Sequence, residues 1–279
     1  MPAPPHPLAP YCTRPAYQVQ RPQPLNLAPA DAALFAHELA RSFPAYTMWQ
    51  GQGLRLHPDG LVFRGMQPLA ASFRRPAEAA RFGWLARAQR ALQRANKLPA
   101  DKPAVRIFDS WSGAFFHWML DALPRLAWAR QVLGDAFYLP LPAAWLRPGH
   151  FALESIQMMD FPQELIRPMA PGRSLHCPRL LMPELPAPTG NYDPELIRLL
   201  QQQLAPASRH PHRAVFLSRA QAHRRHLLNE NELQPLLHDL GIETLYPEAY
   251  SKPALQQLLS ETHTLIGVHG AALANMLYM

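Results

Sequence analysis

The spacing of apolar residues in the last third of the chain alternates between two periods. Residues 194–204, 230–240 and 253–261 repeat apolar positions at helical spacing. Between them, residues 214–218, 243–246 and 264–268 form short apolar runs suited to buried strands. An Ala/Leu-rich run at 271–279 predicts a closing helix. Three strands with intervening helices make a mononucleotide-binding half of a doubly wound fold. The chain stops inside its last predicted helix without a closing glycine, which reads as a truncated C-terminal lobe.

Upstream the pattern is less regular but still alternates. A helix is predicted at 32–41, capped by Asp31, with Phe35, Leu39 and Phe43 at helical spacing. Residues 54–64 alternate around Pro58, Asp59 and Gly60, the signature of a hairpin. A longer helix is expected at 77–96, with Phe82, Leu85 and Leu92 facing inward and Arg87, Arg90 and Arg94 on a solvated face. A strand at 105–108, a helix at 115–133 and short elements at 137–139, 150–159, 165–167 and 175–182 complete an α/β pattern. Eight prolines within residues 1–24 predict a tail or wrapping segment, and the prolines and glycine of 183–191 predict a linker. The expected division is a Pro-rich tail (1–28), an N-terminal lobe (29–185) and a C-terminal lobe (186–279).

Composition adds limits. Lys and Arg total 27 against 20 acidic residues, a net charge of +7, and only Lys97, Lys102 and Lys252 are lysines. That balance fits a phosphate-bearing partner, an anionic membrane surface, or simply an arginine-rich composition. Basic residues are not interleaved with aromatics, which argues against nucleic acid. Cys12 and Cys177 are too few for a disulfide framework or a four-cysteine zinc site, and a reducing cytoplasm is the simplest compartment. No run of about 18 apolar residues occurs, so the chain reads as soluble with peripheral membrane contact open.

Three stretches carry chemistry. His117, Asp121 and Arg125 recur every four residues and share one helix face. An imidazole and a carboxylate placed together can take a proton from a hydroxyl, although Asp121 and Arg125 can equally form an ordinary ion pair. Ser112 and Gly113 at the helix entrance suit a cap or a ligand contact. At the end of the 214–218 strand, Arg219 and then Arg224 or Arg225 can bind phosphate through their guanidinium groups. Asn229 and Glu232 resemble a capping box, and Glu230 can bond ribose hydroxyls or stand exposed at the helix start. At the end of the 264–268 strand, His269 is a phosphate donor, a base or a packed residue, while Gly270 and the amide of Ala271 open a helix whose positive end suits phosphate.

These three stretches, FHWMLDALPRL at 116–126, FLSRAQAHRRHLLNENEL at 216–233 and IGVHGAALANML at 266–277, resemble the glycosyltransferase 61 family. Its bacterial members are often described as capsular polysaccharide biosynthesis proteins. The resemblance implies an inverting hexosyl- or pentosyltransferase with two Rossmann-like lobes in the GT-B arrangement. It implies a nucleotide diphosphate sugar donor and a glycan or polysaccharide acceptor, with no metal or other cofactor. By the same resemblance, Arg219, Arg224, Arg225, Glu230, His269, Gly270 and Ala271 bind the donor, and His117 or Asp121 is the base. Such a protein would work in the cytoplasm at the inner face of the cell membrane. The competing expectations are a non-catalytic nucleotide-sugar or phosphate-binding protein and a metal-assisted hydrolase, for which the spacing supplies too few ligands.

Overall fold

The computed structural model describes residues 8–185, 189–204, 210–221 and 225–279. Two sheets organise it, with helices packed on and between them. The first is built around the long strand Tyr46–Leu56 and its antiparallel partner Ser174–Pro183. The predicted hairpin is present: Val62–Arg64 folds back on Tyr46–Leu56, and Gln67–Pro68 adds outside it. Part of the proline-rich start wraps this sheet, since Ala9–Arg14 pairs antiparallel with Tyr46–Leu56.

On its other side the same sheet turns parallel. Ala104–Val105 runs parallel to Ser174–Pro183, a parallel bridge joins Ala104 to Tyr138, and Leu139–Pro142 runs parallel to Ile166–Met169. The strand expected at 105–108 is regular only at its first residue, but Arg106 N–H still bonds the carbonyl of Leu181 at 2.9 Å. The N-terminal half is therefore mixed rather than uniformly parallel.

The C-terminal half follows its pattern closely. Arg213–Leu217 is the central strand, with Ile242–Leu245 and Thr262–Gly267 parallel on either side. The helices Glu230–Asp239 and Lys252–Ser260 make the crossovers. The first crossover goes to one side and the second to the other. The point where direction reverses lies between Arg213–Leu217 and Thr262–Gly267, where open α/β sheets form a ligand crevice. The closing segment is a 3₁₀ helix, Ala271–Tyr278, not the α-helix expected, and it buries Ala274, Asn275, Leu277 and Tyr278.

Asp193 ties the two halves together. Its carboxylate accepts the hydroxyls of Tyr17 and Tyr46 and the amides of Glu195 (2.7 Å) and Leu196 (3.3 Å), capping the helix Pro194–Leu204. Leu196, Leu200 and Leu204 on that helix are buried, and the helix packs against both Leu123–Leu133 and Ala271–Tyr278.

Two helices differ from expectation. The one predicted at 32–41 ends at Leu39, Asp31 makes no side-chain cap, and Phe35 is exposed. The one predicted at 77–96 is two helices, Glu78–Arg81 and Trp84–Leu92, broken at Gly83. Its orientation is also reversed. Phe82 packs on Phe63 and Phe73 as expected, but Leu85 and Leu92 face solvent. Arg87 instead faces the protein, donating to the carbonyl of Phe82 at 2.7 Å, and Arg90 pairs with Asp59.

One glycine is fixed by both conformation and space. Gly60, at φ +83°, closes the hairpin turn, and a Cβ there would lie 2.9 Å from both Asp109 Cα and the Phe108 carbonyl. Gly60→Ala is expected to lower stability by about 1–3 kcal/mol, measured by denaturant unfolding. An unchanged midpoint would mean that the turn and the Asp109 strand end are not held in this contact.

Candidate active site

The centre of the site is the end of the Ala104–Val105 strand, where the chain runs through Arg106 and Asp109 into a tight turn. Asp109 is 3% exposed and faces three arginines. Arg125 donates to it through Nη1 and Nη2, each at 3.3 Å, and Arg74 through Nη1 at 3.2 Å. The amide of Trp111 and the hydroxyl of Ser112 also bond its Oδ1, at 3.0 and 3.3 Å. Ser112 therefore closes the strand-end turn rather than capping the following helix.

Burial alone would raise the Asp109 pKa, but Arg125, Arg106 and Arg74 outweigh it and hold the carboxyl well below the usual range. Arg106 is buried against carbonyls, donating to Gly60 O and Ser72 O, each at 2.6 Å. Burial and then the like charge of Arg125 push its pKa down to about 9.

The helical stretch carrying His117 has three parts: a turn at Phe115–His117, a π-helical turn at Trp118–Ala122, and the α-helix Leu123–Leu133. Pro124 explains the wide turn. In a regular α-helix it would lack the bond to Leu120 O and its ring would strike that carbonyl; one π turn makes room. Trp118 anchors the turn, its indole N–H donating to Ser155 Oγ at 2.7 Å.

This geometry brings His117 and Asp121 together as the spacing predicted. His117 Nδ1 lies 2.8 Å from Asp121 Oδ2. The same carboxylate takes the hydroxyl of Thr189 at 3.1 Å and pairs with Arg74 Nη2 at 3.0 Å. Arg74 thus bridges Asp121 and Asp109, with its guanidinium 4.9 Å above the Trp111 ring. Trp111 in turn leans on the His117 imidazole at 5.0 Å. Asp121 is 1% exposed, and its Oδ1 has no hydrogen-bond partner among the described residues. The expected Asp121–Arg125 pair does not form: Arg125 turns to Asp109 and the Ile107 carbonyl. A cavity of about 640 Å³ opens beside this network, lined by Trp49, Phe73, Arg74, Asp109, Trp111 and Arg125 among others.

The strand-end residues of the C-terminal sheet form a second cluster. The Arg219 guanidinium lies against Gly270 so closely that a Cβ on that glycine would fall 2.1 Å from Arg219 Nη1. Gly270 is extended, at φ 174°, so space rather than backbone freedom selects it. Arg225 Nη1 reaches the His269 carbonyl at 3.3 Å, and His269 is itself exposed. Glu230 is buried: Ser218 Oγ donates to its Oε1, while Oε2 has no partner among the described residues. Asn229 reaches the Glu232 side chain at 3.4 Å and makes no side-chain cap. Ala271 begins the 3₁₀ helix directly after Gly270, and Arg224 lies outside the described residues.

The elements that carry the two clusters touch: Phe115–His117 packs against Ala271–Tyr278, with the Lys252 ammonium 4.7 Å from the Phe115 ring centre. The model of the family described as Glycosyltransferase 61 matches residues 115–279, more than half of the chain.

The chain belongs to the glycosyltransferase 61 family.

No curated protein matches it. The match to this glycosyltransferase family spans both the His117 and the Arg219–Gly270 clusters, whereas Arg74, Arg106 and Asp109 precede it. Those three, with Thr189, are the site residues that the sequence reading passed over. Only Asp109 carried a usable signal, as an acidic residue just past a predicted strand. Arg74 and Thr189 come from loops without periodicity. Among the described residues, no helix of this glycosyltransferase is long and apolar enough to cross a membrane.

Removing the central carboxylate tests the network. Asp109→Asn is expected to destabilise by about 3 kcal/mol or more, because buried arginines lose their counter-charge. The pH dependence has a definite sign. The folded pKa lies below the unfolded value of about 3.9, so the stabilisation is complete above that value and is lost as pH falls through the folded one. Unfolding curves from neutral to strongly acidic pH should show a shallower acid loss in the Asn variant; parallel curves would contradict this.

Proposed function

We propose that this glycosyltransferase transfers a hexosyl or pentosyl group from a nucleotide diphosphate sugar to a glycan hydroxyl, with inversion at the anomeric carbon, in bacterial surface polysaccharide synthesis. The observation that supports the reading is the His117–Asp121 pair on a turn that packs against the helix opening at Gly270, with His117 read as the base and the Gly270 end as the phosphate-binding corner. The all-parallel three-stranded sheet supports one Rossmann-like lobe of a GT-B arrangement.

His117 is the base and Asp121 its positioning partner. With Nδ1–H held by the buried carboxylate, Nε2 is left to take the acceptor proton. The hydroxyl oxygen then bonds the anomeric carbon as the bond to the diphosphate breaks. Negative charge grows on the leaving group, where Arg219, Arg225 and Arg224 and the first amides of the Ala271–Tyr278 helix stabilise it. His269 donates to the same diphosphate. Glu230 is the residue assigned to the ribose hydroxyls; its Oε2 is buried without a partner among the described residues. The acceptor occupies the cavity beside Trp111 and Asp109, and the work is done at the inner face of the cell membrane.

Calorimetric titration with nucleoside diphosphates tests the donor half. Saturable binding is expected, weakened about tenfold or more in Arg219→Ala through loss of a bidentate contact. No binding by the unaltered chain would overturn the donor site. His117→Ala should lower turnover by about 10²–10⁴-fold while leaving diphosphate affinity unchanged. Binding without turnover toward any acceptor would instead mark a non-catalytic nucleotide-sugar-binding protein. Chelation is expected to leave turnover intact.

A further inference from the structure

The helix Trp84–Leu92 is mounted with its polar side inward. At about 100° per residue, Trp84, Leu85, Ala88 and Leu92 share one side and Arg87 and Arg90 the other. The arginine side is the docked one. Arg87 reaches the carbonyls of Phe82 (2.7 Å) and Ala79 (3.3 Å) and the Gln67 side chain (3.2 Å), while Arg90 pairs with Asp59. The apolar side faces out: Trp84 is 71% exposed, Leu85 59% and Leu92 84%. Single exposed apolar residues need no explanation, but three large ones on one face of an amphipathic helix do.

The charges that flank this helix in sequence are basic but for one. Arg75, Arg81, Arg94 and Lys97 are exposed, and their side chains make no ion pair among the described residues. Glu78 is the only acidic residue between positions 74 and 97. An apolar helix face flanked along the chain by exposed cations that make no ion pair among the described residues complements an anionic bilayer surface: Trp and Leu enter the headgroup boundary while Arg and Lys meet lipid phosphates. We propose that the Trp84–Leu92 helix is a membrane-docking face for anionic lipid. The docking is monotopic, with the arginine side of the helix clamped to the protein and the apolar side in the lipid. Arg74, Arg75 and Pro76, which lead into this segment, also line the central cavity, so the docked face and the cavity are built from one stretch of chain.

Flotation of the full chain with phosphatidylglycerol-rich vesicles, against pure phosphatidylcholine vesicles, tests the inference without an activity assay. Binding to the anionic vesicles only is expected, weakening as salt rises. The combined variant Trp84→Ser, Leu85→Ser, Leu92→Ser should bind about tenfold or more weakly, with an unchanged melting temperature because these side chains support no core. Arg81→Glu with Arg94→Glu should lose binding while keeping the apolar face. Equal partition of the serine variant, or no binding by the unaltered chain, would overturn the proposal. So would a dimer that the serine variant dissociates while vesicles remain unbound, since a second copy would then be the occupant.

Discussion

The Asp109 carboxylate, buried and faced by Arg125, Arg74 and the charge of Arg106, is the interaction on which the centre of the molecule depends. Without it the Arg125 guanidinium would be a buried charge with no ion-pair partner among the described residues, and an unpaired buried charge costs several kcal/mol. Its placement is inherited from the parallel strand that precedes it and from the hairpin turn whose Gly60 allows the backbones to meet. Arg106 makes the reverse connection, bonding that turn through its carbonyl.

From Asp109 the constraint passes outward through Arg74 to Asp121, and from Asp121 to His117. The imidazole is thus oriented by a chain of charged contacts rooted in the core, not by a single exposed pair. The π turn at Trp118–Ala122 is part of the same construction, because it reconciles Pro124 with a helix that must still present His117 and Asp121 on one side. Packing of the His117 turn on the Ala271–Tyr278 helix then joins this network to the C-terminal half.

The corner itself shows why a glycine can be required without a turn. Gly270 is extended, and its missing side chain is the space the Arg219 guanidinium occupies. The buried Glu230, held by Ser218, links the first residue after the central strand to the start of the next helix. Strand end, arginine, glycine and carboxylate are drawn from positions 217 to 270 but share one end of a three-stranded sheet.

The C-terminal strands and crossover helices, the hairpin at Pro58–Gly60 and the His117–Asp121 pair were legible in the residues, because local period, turn chemistry and i, i+4 spacing act over a few positions. Family membership was legible for the same reason, in three short motifs. What spacing could not supply was direction and partnership. The period of 84–92 reveals two unlike faces but not which one meets the protein, and there the arginines docked because carbonyls and Asp59 were waiting for them. Nor could it show that Arg125 would leave Asp121 for Asp109, or that Arg74 from a distant loop would bridge both carboxylates. Local sequence determined the elements and the residue types offered at their ends. Tertiary packing alone decided which charges were buried together, since desolvation and ion pairing depend on neighbours that the chain brings in from far away.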